Sequence, residues 1–250
     1  MRINFFEEFP QDDSLQKAAL VIPPSTIYIG AKSLKEFLDY KKKLYKINPG
    51  VEAAYWPILK KSYWISPFSN TKELEGLIHD LKANKQKGLE VLLDLELPFL
   101  NIKLFLKNAL SFFKNREIIR SILRDANKFG VKITSAEYPF RPTAIRPLGI
   151  SYSLKKYKHK RIPMYYSSVI PFKKLKDFIK KILILPAKKN THIGLGIIKK
   201  GIFGGEKIIT AKRLEKDLEF FKKEAASATI FRLGGLNKEY VEVLKKYQNN

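Results

Sequence analysis

The chain has 250 residues, and 45% of them are hydrophobic, which is enough to bury a large core and excludes a disordered protein. It contains no cysteine, so disulfide bonds, thiolate metal sites and cysteine nucleophiles are excluded. The net charge of +24 comes from 48 Lys and Arg against 24 Asp and Glu, and such a charge indicates an anionic partner.

The positive charge is concentrated in the second half of the chain. Residues 1–125 contain 20 basic and 15 acidic side chains, whereas residues 126–250 contain 28 and 9. Between Arg141 and Lys200 there are sixteen basic residues and one acid, Asp177. We expect this segment to form a surface that binds a polyanion, either nucleic acid, an acidic polymer or a membrane surface. The alternative is a solvated lysine-rich surface, as in proteins from thermophilic organisms.

The sequence predicts no transmembrane segment, because it contains no run of about 18 apolar residues. Residues 2–6 (RINFF) are typical of a strand and differ from the basic and then apolar start of a signal peptide. We therefore expect a soluble, cytoplasmic protein.

Strand-like and helix-like patterns alternate along the chain. The strands are predicted at residues 2–10, 25–30, 51–57, 88–98, 131–138, 161–168, 191–198 and 228–233. The helices are predicted at residues 33–47, 71–87, 102–129, 172–185, 211–226 and 237–247, with Ser33, Asn70 and Asn237 as N-caps. This order predicts one α/β domain over residues 1–250, a single (β/α)8 TIM barrel. An open doubly wound sheet is the alternative, but no G-x-G-x-x-G motif follows the first strand.

The fourth predicted strand ends in LEVLLDLELP (residues 89–98), which after Glu90 stays apolar on both faces until two carboxylates appear. Such a run is typical of a strand buried on both sides. Asp94 and Glu96 are two residues apart, so they lie on the same side of the strand. Because burying two carboxylates together is costly, the pair predicts a functional site. In the alternative, Asp94 only caps a turn and Glu96 points into water.

The active site of a (β/α)8 barrel lies at the carboxyl ends of its strands. The predicted strand ends carry carboxylates, aromatic rings and one arginine: Glu7, Glu8, Tyr55, Trp56, Asp94, Glu96, Glu137, Tyr138, Tyr165, Tyr166 and Arg232. Acids can transfer a proton at a glycosidic oxygen, and flat rings can stack on sugar rings, so this set indicates carbohydrate chemistry. For each aromatic residue taken singly, packing in the core or rim is the alternative.

Four short segments, spread over most of the chain, resemble the barrel of glycoside hydrolase family 18, the chitinase-like fold. Asp94-Leu95-Glu96 resembles the end of that family's fourth-strand D-x-x-D-x-D-x-E motif, and Met164-Tyr165-Tyr166 resembles its sixth-strand M-x-Y. Residues 193–197 (IGLGI) are similar to the seventh-strand L-G-I/L-P segment. Residues 230–235 (IFRLGG) fall where the family closes its barrel.

The resemblance implies that Glu96 is the general acid and that Asp94 positions a 2-acetamido group of the substrate, whose oxygen is the nucleophile. It implies that Tyr166 hydrogen-bonds the same group. The other strand-end residues are expected to bind the substrate, a sugar polymer or sugar conjugate: Glu7, Tyr55, Trp56, Glu137, Tyr138, Tyr165 and Arg232. Glu7 and Glu137 are the candidates for a second acid if the mechanism does not use the acetamido group.

The sequence departs from the pattern of the family at four positions. Leu89 and Leu92 stand where the motif has its first two aspartates, and Ser167 stands where an acid or amide is expected. Arg232 stands where the family has the tryptophan that forms the floor of the sugar site. These departures favour a substrate other than chitin, or binding without hydrolysis.

Two other classes of function remain open. Barrels often bind phosphate at the loops after strands seven and eight, which here carry lysines and glycines: Lys199, Lys200, Gly201, Gly204, Gly205, Gly234 and Gly235, with Arg232 beside them. Ordinary turns are the alternative for these glycines. The other class is a non-catalytic protein that binds polyanions through residues 141–200.

The sequence gives little indication of metal or nucleophilic-serine chemistry. The three histidines, His79, His159 and His192, are not paired at metal-ligand spacing, and no nucleophile-elbow motif is present. We expect no metal and no other cofactor. The sequence leaves the oligomeric state open.

Overall fold

The structure, a computed structural model, describes residues 1–83, 87–98, 102–184, 191–201 and 204–248. Eight parallel strands in these residues form one closed barrel, in which each strand pairs with the next and the last pairs with the first. The strands are β1 (Arg2–Glu7), β2 (Thr26–Ala31), β3 (Glu52–Pro57), β4 (Leu89–Leu95), β5 (Val131–Glu137), β6 (Lys160–Tyr165), β7 (Thr191–Leu195) and β8 (Ala225–Phe231). The predicted (β/α)8 TIM barrel is confirmed, and the open-sheet alternative is wrong.

Ten α-helices lie in the connections between the described strands and after β8. They are α1 (Asp12–Gln16), α2 (Leu34–Ile47), α3 (Thr71–Ala83), α4 (Ile102–Asn108), α5 (Phe112–Asp125), α6 (Pro142–Ile145), α7 (Leu154–Tyr157), α8 (Lys173–Ile184), α9 (Ala211–Phe221) and α10 (Lys238–Gln248). The longer helices are amphipathic and bury one face against the barrel, as Phe37 and Leu44 do in α2. In the part of the chain that the structure describes, no helix has both the length and the apolar character needed to span a membrane.

The three predicted N-caps are present. The Ser33 hydroxyl accepts a hydrogen bond from the Glu36 N–H at 3.2 Å, and the Asn70 side chain accepts one from the Glu73 N–H at 3.3 Å. The Asn237 side chain accepts one from the N–H of Tyr240 at 3.1 Å. Each cap satisfies an amide that the first helical turn leaves without a partner, so the helix starts are determined locally.

Several predicted element boundaries differ from the structure. The region 102–129 is divided into α4 and α5 by a 3-10 turn at residues 109–111. The helix predicted at 211–226 ends at Phe221, because the alternating sequence from Ala225 already belongs to β8. Strand β4 ends at Leu95, so Glu96 lies just beyond it. The predicted end of α8 at residue 185 lies outside the described residues.

Side chains of the barrel strands separate into an inner and an outer set. In β1 to β6 the inner set consists of even-numbered residues and forms its own apolar cluster: Phe6, Tyr28, Ala54, Trp56, Leu92, Ala136 and Ile162. Odd-numbered residues such as Phe5, Tyr55 and Val91 point outward and form the larger core between the barrel and the helices. Because side chains alternate along a strand, every second residue of a strand can reach the mouth of the barrel from inside. In β8 the inner residues are odd-numbered, since Phe231 packs against the inner cluster whereas Ala228 and Ile230 belong to the outer core.

Candidate functional site

A cavity of about 280 Å³ lies at the carboxyl ends of the strands, above the inner apolar cluster. It is lined by Phe6, Glu8, Trp56, Tyr63, Trp64, Leu92, Asp94, Glu96, Leu97, Ala136, Tyr138, Met164, Tyr166, Val169, Ile197, Glu206 and Phe231. Four of these side chains are carboxylates and seven are aromatic, and none of the described lining residues is Lys, Arg or His. The cavity is therefore an acidic site with aromatic walls.

Asp94 and Glu96 reach the cavity because they continue the inner register of β4 above Leu92. Asp94 is buried, with 6% of its surface exposed, and Glu96 is partly exposed. The backbone carbonyl of Asp94 accepts hydrogen bonds from the N–H of Ile65 at 2.9 Å and from the N–H of Glu96 at 3.1 Å. These bonds hold the chain in a turn that brings both carboxylates to one side.

Both carboxyl groups hold protons more tightly than they would in water. Burial raises the pKa of Asp94 well above its usual range, and the carboxylates of Glu96 and Glu8 raise it further. Burial raises the pKa of Glu96 to about 7, although a hydrogen bond with the Trp64 side chain opposes this rise. At neutral pH the pair therefore still carries a proton that Glu96 can donate.

Two more carboxylates, Glu8 and Glu206, stand on the opposite side of the cavity. The Tyr63 hydroxyl donates a short hydrogen bond to Glu8. A Cβ atom on Gly201 would lie 2.8 Å from Glu8 Oε2 and 3.1 Å from Glu206 Oε1. The absence of a side chain at Gly201 therefore leaves the room in which these two carboxylates approach each other.

Aromatic rings form the walls of the cavity. Phe6 lies in the centre, with ring centroids 5.7 Å from Trp56 and 6.4 Å from Phe231. The Tyr166 ring is 5.9 Å from Phe231. Burial raises the pKa of the Tyr166 phenol well above its usual range, and the nearby carboxylates of Glu96 and Asp94 add to this rise. Tyr166 is therefore a neutral hydrogen-bond donor at physiological pH.

Five of the predicted site residues meet in this cavity: Trp56, Asp94, Glu96, Tyr138 and Tyr166. All five have even numbers, and each continues the inner face of its own strand. The structure thus brings the predicted general acid, its partner and the predicted acetamido-binding tyrosine to one place.

The other five predicted substrate-binding residues point away from the cavity, which is a correction to the strand-end set. Glu7 pairs with Arg232, with 2.6 Å between Oε1 and Nη1, and both side chains are buried. Glu137 accepts a hydrogen bond from Arg161 Nε at 2.6 Å. This pairing also removes Glu7 and Glu137 from the neighbourhood in which a second acid would act.

The two outward tyrosines belong to the helix-facing core. The Tyr55 ring packs against Phe37 of α2 at 5.3 Å, and the Tyr165 ring packs against Phe221 of α9 at 5.5 Å. The physical reason is the alternation of the strand. Neighbouring residues point to opposite sides of a strand, so one of the two residues at each strand end faces the helices.

The structure shows what surrounds the residues that depart from the glycoside hydrolase pattern. Leu92 packs in the inner apolar cluster beneath Asp94, so the acidic neighbours of Asp94 are Glu96 and Glu8. Phe231 supplies the aromatic wall at the end of β8, where Arg232 points outward. The buried Ser167 hydroxyl donates a short hydrogen bond to Asp217.

The residues of the alternative phosphate site are engaged with the protein itself. The Gly234 N–H donates to Glu7 Oε2 at 2.6 Å, and Arg232 donates both to Glu7 Oε1 at 2.6 Å and to the Lys200 carbonyl at 3.0 Å. Burial raises the pKa of Glu7, but Arg232 and the N–H groups of Phe9 and Gly234 oppose this rise. The carboxylate of Glu7 thus occupies the donors that a phosphate would need.

The remaining residues of that alternative do not line the acidic cavity. Lys199 is partly exposed and Lys200 is exposed. A Cβ atom on Gly235 would lie 2.3 Å from the Ile198 carbonyl oxygen, so this glycine serves a close approach of two backbone segments. Gly201 borders Glu8 and Glu206, which are unfavourable neighbours for an anion.

Three polar or aromatic cavity residues from connecting loops are absent from the predicted strand-end set: Tyr63, Trp64 and Glu206. Glu8 belongs to that set but received no role, although Phe6 and Glu8 continue one inner register of β1. Tyr63 and Trp64 come from the connection between β3 and α3, and Glu206 comes from the connection after β7. The position of a connecting loop over the barrel has no periodic signal in the sequence.

The described residues contain no group of three or more His, Asp or Glu side chains that could hold a metal ion. Burial lowers the pKa of His159 to about 4, and His192 Nδ1 lies 2.6 Å from the Ser227 hydroxyl. Neither histidine lines the acidic cavity.

The fold and the cavity define a (β/α)8 barrel with an acidic, aromatic-walled site. No family model and no curated protein matches the chain. Among solved structures, it is similar to orotidine 5'-monophosphate decarboxylase from Methanocaldococcus jannaschii, complexed with the inhibitor BMP. That similarity has 15% identity and a TM-score of 0.43, and it covers 99% of this chain and 96% of that chain.

Weaker similarities join the chain to two reductases. An NADH-dependent reductase complexed with NAD has 12% identity and a TM-score of 0.28, covering 94% of this chain and 96% of that chain. A short-chain type dehydrogenase/reductase from Mycobacterium ulcerans has 11% identity and a TM-score of 0.27, covering 94% and 89%. Similarities this weak carry no functional argument.

Proposed function

We propose that the protein is a glycoside-hydrolase-like barrel that acts on a sugar polymer or sugar conjugate, with Glu96 as general acid and Asp94 as its partner. The observation that carries this proposal is the pair of neighbouring carboxyl groups in an aromatic cavity, where burial raises the pKa of Glu96 to about 7. A carboxyl group with such a pKa can donate a proton at neutral pH.

Cleavage of a glycosidic bond needs a proton on the leaving oxygen as the bond between this oxygen and the anomeric carbon breaks. Glu96 supplies that proton and becomes a carboxylate, which can then accept a proton from the attacking water. Burial keeps the proton on Glu96. Asp94, whose own pKa is raised by burial and by Glu96, lies where it can contact the sugar. Tyr166 donates a hydrogen bond to a polar group of the sugar.

The walls of the cavity favour a sugar ring over an acyl or phosphoryl substrate. Trp56, Trp64 and Phe231 offer flat faces, and sugar rings present apolar C–H faces that stack on them. A second groove of about 610 Å³ borders the cavity and shares Glu8, Tyr63 and Trp64 with it. The remainder of a sugar polymer or conjugate can leave the cavity along this groove.

The test is a screen of glycosides and sugar phosphates with wild type beside Glu96→Gln, which keeps the shape of the side chain but cannot donate the proton. We expect wild type to hydrolyse at least one glycoside and Glu96→Gln to lose about 100-fold or more in kcat/KM, as for other general acids. Asp39→Asn is the matched control, because Asp39 is exposed on α2 and does not line the cavity. Equal activity of wild type and Glu96→Gln would refute the role of Glu96.

The phosphate alternative predicts a different result in the same screen. Only phosphorylated ligands would bind, and Arg232→Met would abolish that binding. The ion pair between Glu7 and Arg232 argues against it, because a phosphate would have to displace a buried carboxylate from these donors.

A further inference from the structure

The Asp94 carboxyl group is buried in the cavity without a positive partner. Within the described residues, no hydrogen bond reaches its side chain, and no Lys, Arg or His lies within salt-bridge distance of Asp94 or Glu96. The chain nevertheless carries twice as many basic as acidic side chains, 48 against 24. A buried acid that is left uncompensated in so basic a protein requires a reason.

The buried carboxylates outside the cavity are compensated in the described chain. Arginine is the partner in three cases: Arg232 for Glu7 at 2.6 Å, Arg161 for Glu137 at 2.6 Å, and Arg213 for Asp217 at 3.6 Å. The fold thus places arginines beside buried acids wherever the acid is structural. The cavity is the place where it does not, although Asp94 is as deeply buried as many of the core residues.

The rest of the cavity points to the same missing charge. Glu8 and Glu206 face it from the other side, and its walls are aromatic rings, whose faces attract cations. Carboxylates combined with aromatic faces form a site that suits an ammonium group and repels an anion. A neutral sugar would use the aromatic faces but would leave Asp94 without a counter-charge.

We propose that the cavity binds a protonated amine, with the ammonium group held by the Asp94 carboxylate and packed against the aromatic walls. On the function proposed above, on which the sugar part of this inference rests, the ligand is a glycoside of an amino sugar whose amino group is free. An ammonium group has no acyl oxygen to attack the anomeric carbon. The acetamido-assisted route is therefore closed for this ligand, and a carboxylate of the protein must activate the nucleophile.

The groove beside the cavity limits where the ammonium group can bind. The described lining of that groove holds three lysines, Lys32, Lys60 and Lys61, against two acids, Glu8 and Glu36, so its net charge disfavours further ammonium groups. We therefore expect a ligand with one ammonium group at its cavity end, and we expect a chain of consecutive ammonium sugars to bind poorly along the groove.

Binding of an ammonium group is coupled to the protons of the cavity. The titratable groups that face Asp94 are Glu8, Tyr63, Glu96, Tyr138, Tyr166 and Glu206. Burial and the neighbouring carboxylates raise the pKa of Asp94, so an ammonium group beside it lowers that pKa again and releases a proton. The affinity for an alkyl amine, which keeps its charge up to about pH 10, is expected to increase as the pH rises from about 5 to about 8.

The experiment is calorimetric measurement of binding with matched probes, in which a charged amine is compared with a neutral group at the same position. Methyl glucosaminide is compared with methyl glucoside and with methyl N-acetylglucosaminide, and cyclohexylamine is compared with cyclohexanol. We expect each amine to bind at least about tenfold more tightly than its neutral counterpart, the value of one charge-assisted hydrogen bond. The binding enthalpies in two buffers of different ionisation enthalpy give the number of protons released on binding.

Asp94→Asn is expected to remove most of this preference, whereas Glu96→Gln, which removes the proton donor but keeps the Asp94 charge, is expected to retain it. Asp39→Asn, which removes one exposed negative charge, is expected to bind as wild type does. Equal affinity for amine and neutral probes, or an unchanged preference in Asp94→Asn, would overturn the inference. A preference for cyclohexylamine but not for methyl glucosaminide would support an ammonium site and overturn the amino sugar.

Hydrolysis assays on the same glycosides separate this inference from the proposed function. Hydrolysis of glycosides without any preference for the amine overturns the inference and leaves the proposed function standing. Amine binding with no hydrolysis of any glycoside supports the ammonium site and overturns the proposed function.

Discussion

Arg232 Nη1 lies 2.6 Å from Glu7 Oε1, and this buried ion pair joins the residue after β8 to the last residue of β1. The pair sits at the seam where the barrel closes, on the outer side of the strands. The Gly234 N–H binds the second oxygen of Glu7 at 2.6 Å, so both oxygens of the carboxylate are satisfied. In the sequence Glu7 and Arg232 look like site residues at strand ends, but in the fold they join β1 to the end of β8.

Replacement of Arg232 by Met should therefore lower the free energy of unfolding by about 3–5 kcal/mol, because it leaves the buried Glu7 charge unpaired. The double variant Glu7→Gln/Arg232→Met should lose less than Arg232→Met alone. Urea denaturation measures both values. Asp12→Asn, which breaks the exposed pair with Lys43, is the control and should have little effect. A small loss in Arg232→Met would mean that the pair does not stabilise the barrel seam.

The pH dependence of glycoside hydrolysis should follow the protonation of Glu96. Burial raises the pKa of Glu96 to about 7, and the acid is active only while it holds its proton. The rate kcat/KM should therefore fall as the pH rises through about 7. Initial rates between about pH 5 and pH 9 measure this decrease in kcat/KM. A rate that increases across the same range would show that Glu96 acts as a base in the limiting step.

The same pKa shift makes stability depend on pH. The pKa of Glu96 is 4.5 in the absence of the fold and about 7 in the folded protein, so the folded state binds the proton more tightly. This contribution is fully present below pH 4.5 and is lost as the pH rises through about 7. Wild type should thus lose more unfolding free energy between about pH 5 and pH 8 than Glu96→Gln does. Asp39→Asn should follow wild type, and parallel curves for all three proteins would contradict the shift.

Tryptophan fluorescence should report ligand binding directly. The chain contains two tryptophans, and both Trp56 and Trp64 line the cavity. A ligand that stacks on these rings or displaces water from them should change the emission at the concentrations that calorimetry gives for binding. Trp56→Phe and Trp64→Phe should each keep part of the signal. An emission unchanged at saturation would place the ligand outside the cavity.

The basic segment 141–200 remains a candidate surface for a polyanion. Lys173, Lys174 and Lys181 are exposed on or beside α8 and can be changed together to glutamate. Binding to heparin or to single-stranded nucleic acid should weaken steeply with salt and should be lost in this triple variant. Lys35, Lys46 and Lys72, which are exposed on α2 and α3, form the control triple. If both triples bind alike, the interaction depends on net charge and not on this surface.

Much of the architecture could be predicted from the sequence because its signals are local. Ser33, Asn70 and Asn237 cap helices with their own side chains, and the apolar run that ends at Asp94 reads as a strand buried on both sides. Eight such alternations leave few folds that bury every strand. The pairing of Asp94 with Glu96 follows from the two-residue period of one strand, so the sequence alone brought these two carboxylates together.

Only the tertiary structure decided which residues from different strands share the cavity. Glu7 and Glu8 are adjacent in the sequence, yet Glu7 pairs with Arg232 outside the barrel while Glu8 faces Asp94 inside it. The choice depends on the register between strands and on the direction of each pleat, which no local pattern records. Tyr63 and Trp64 reach the cavity through a loop folded over the mouth, and the missing counter-charge at Asp94 can be seen only once every neighbour is in place. The sequence determined the barrel and the acid pair, because these follow from local periodicity. Closure of the barrel determined the acidic, aromatic environment that gives the pair its chemistry, because burial and charge depend on residues distant in the chain.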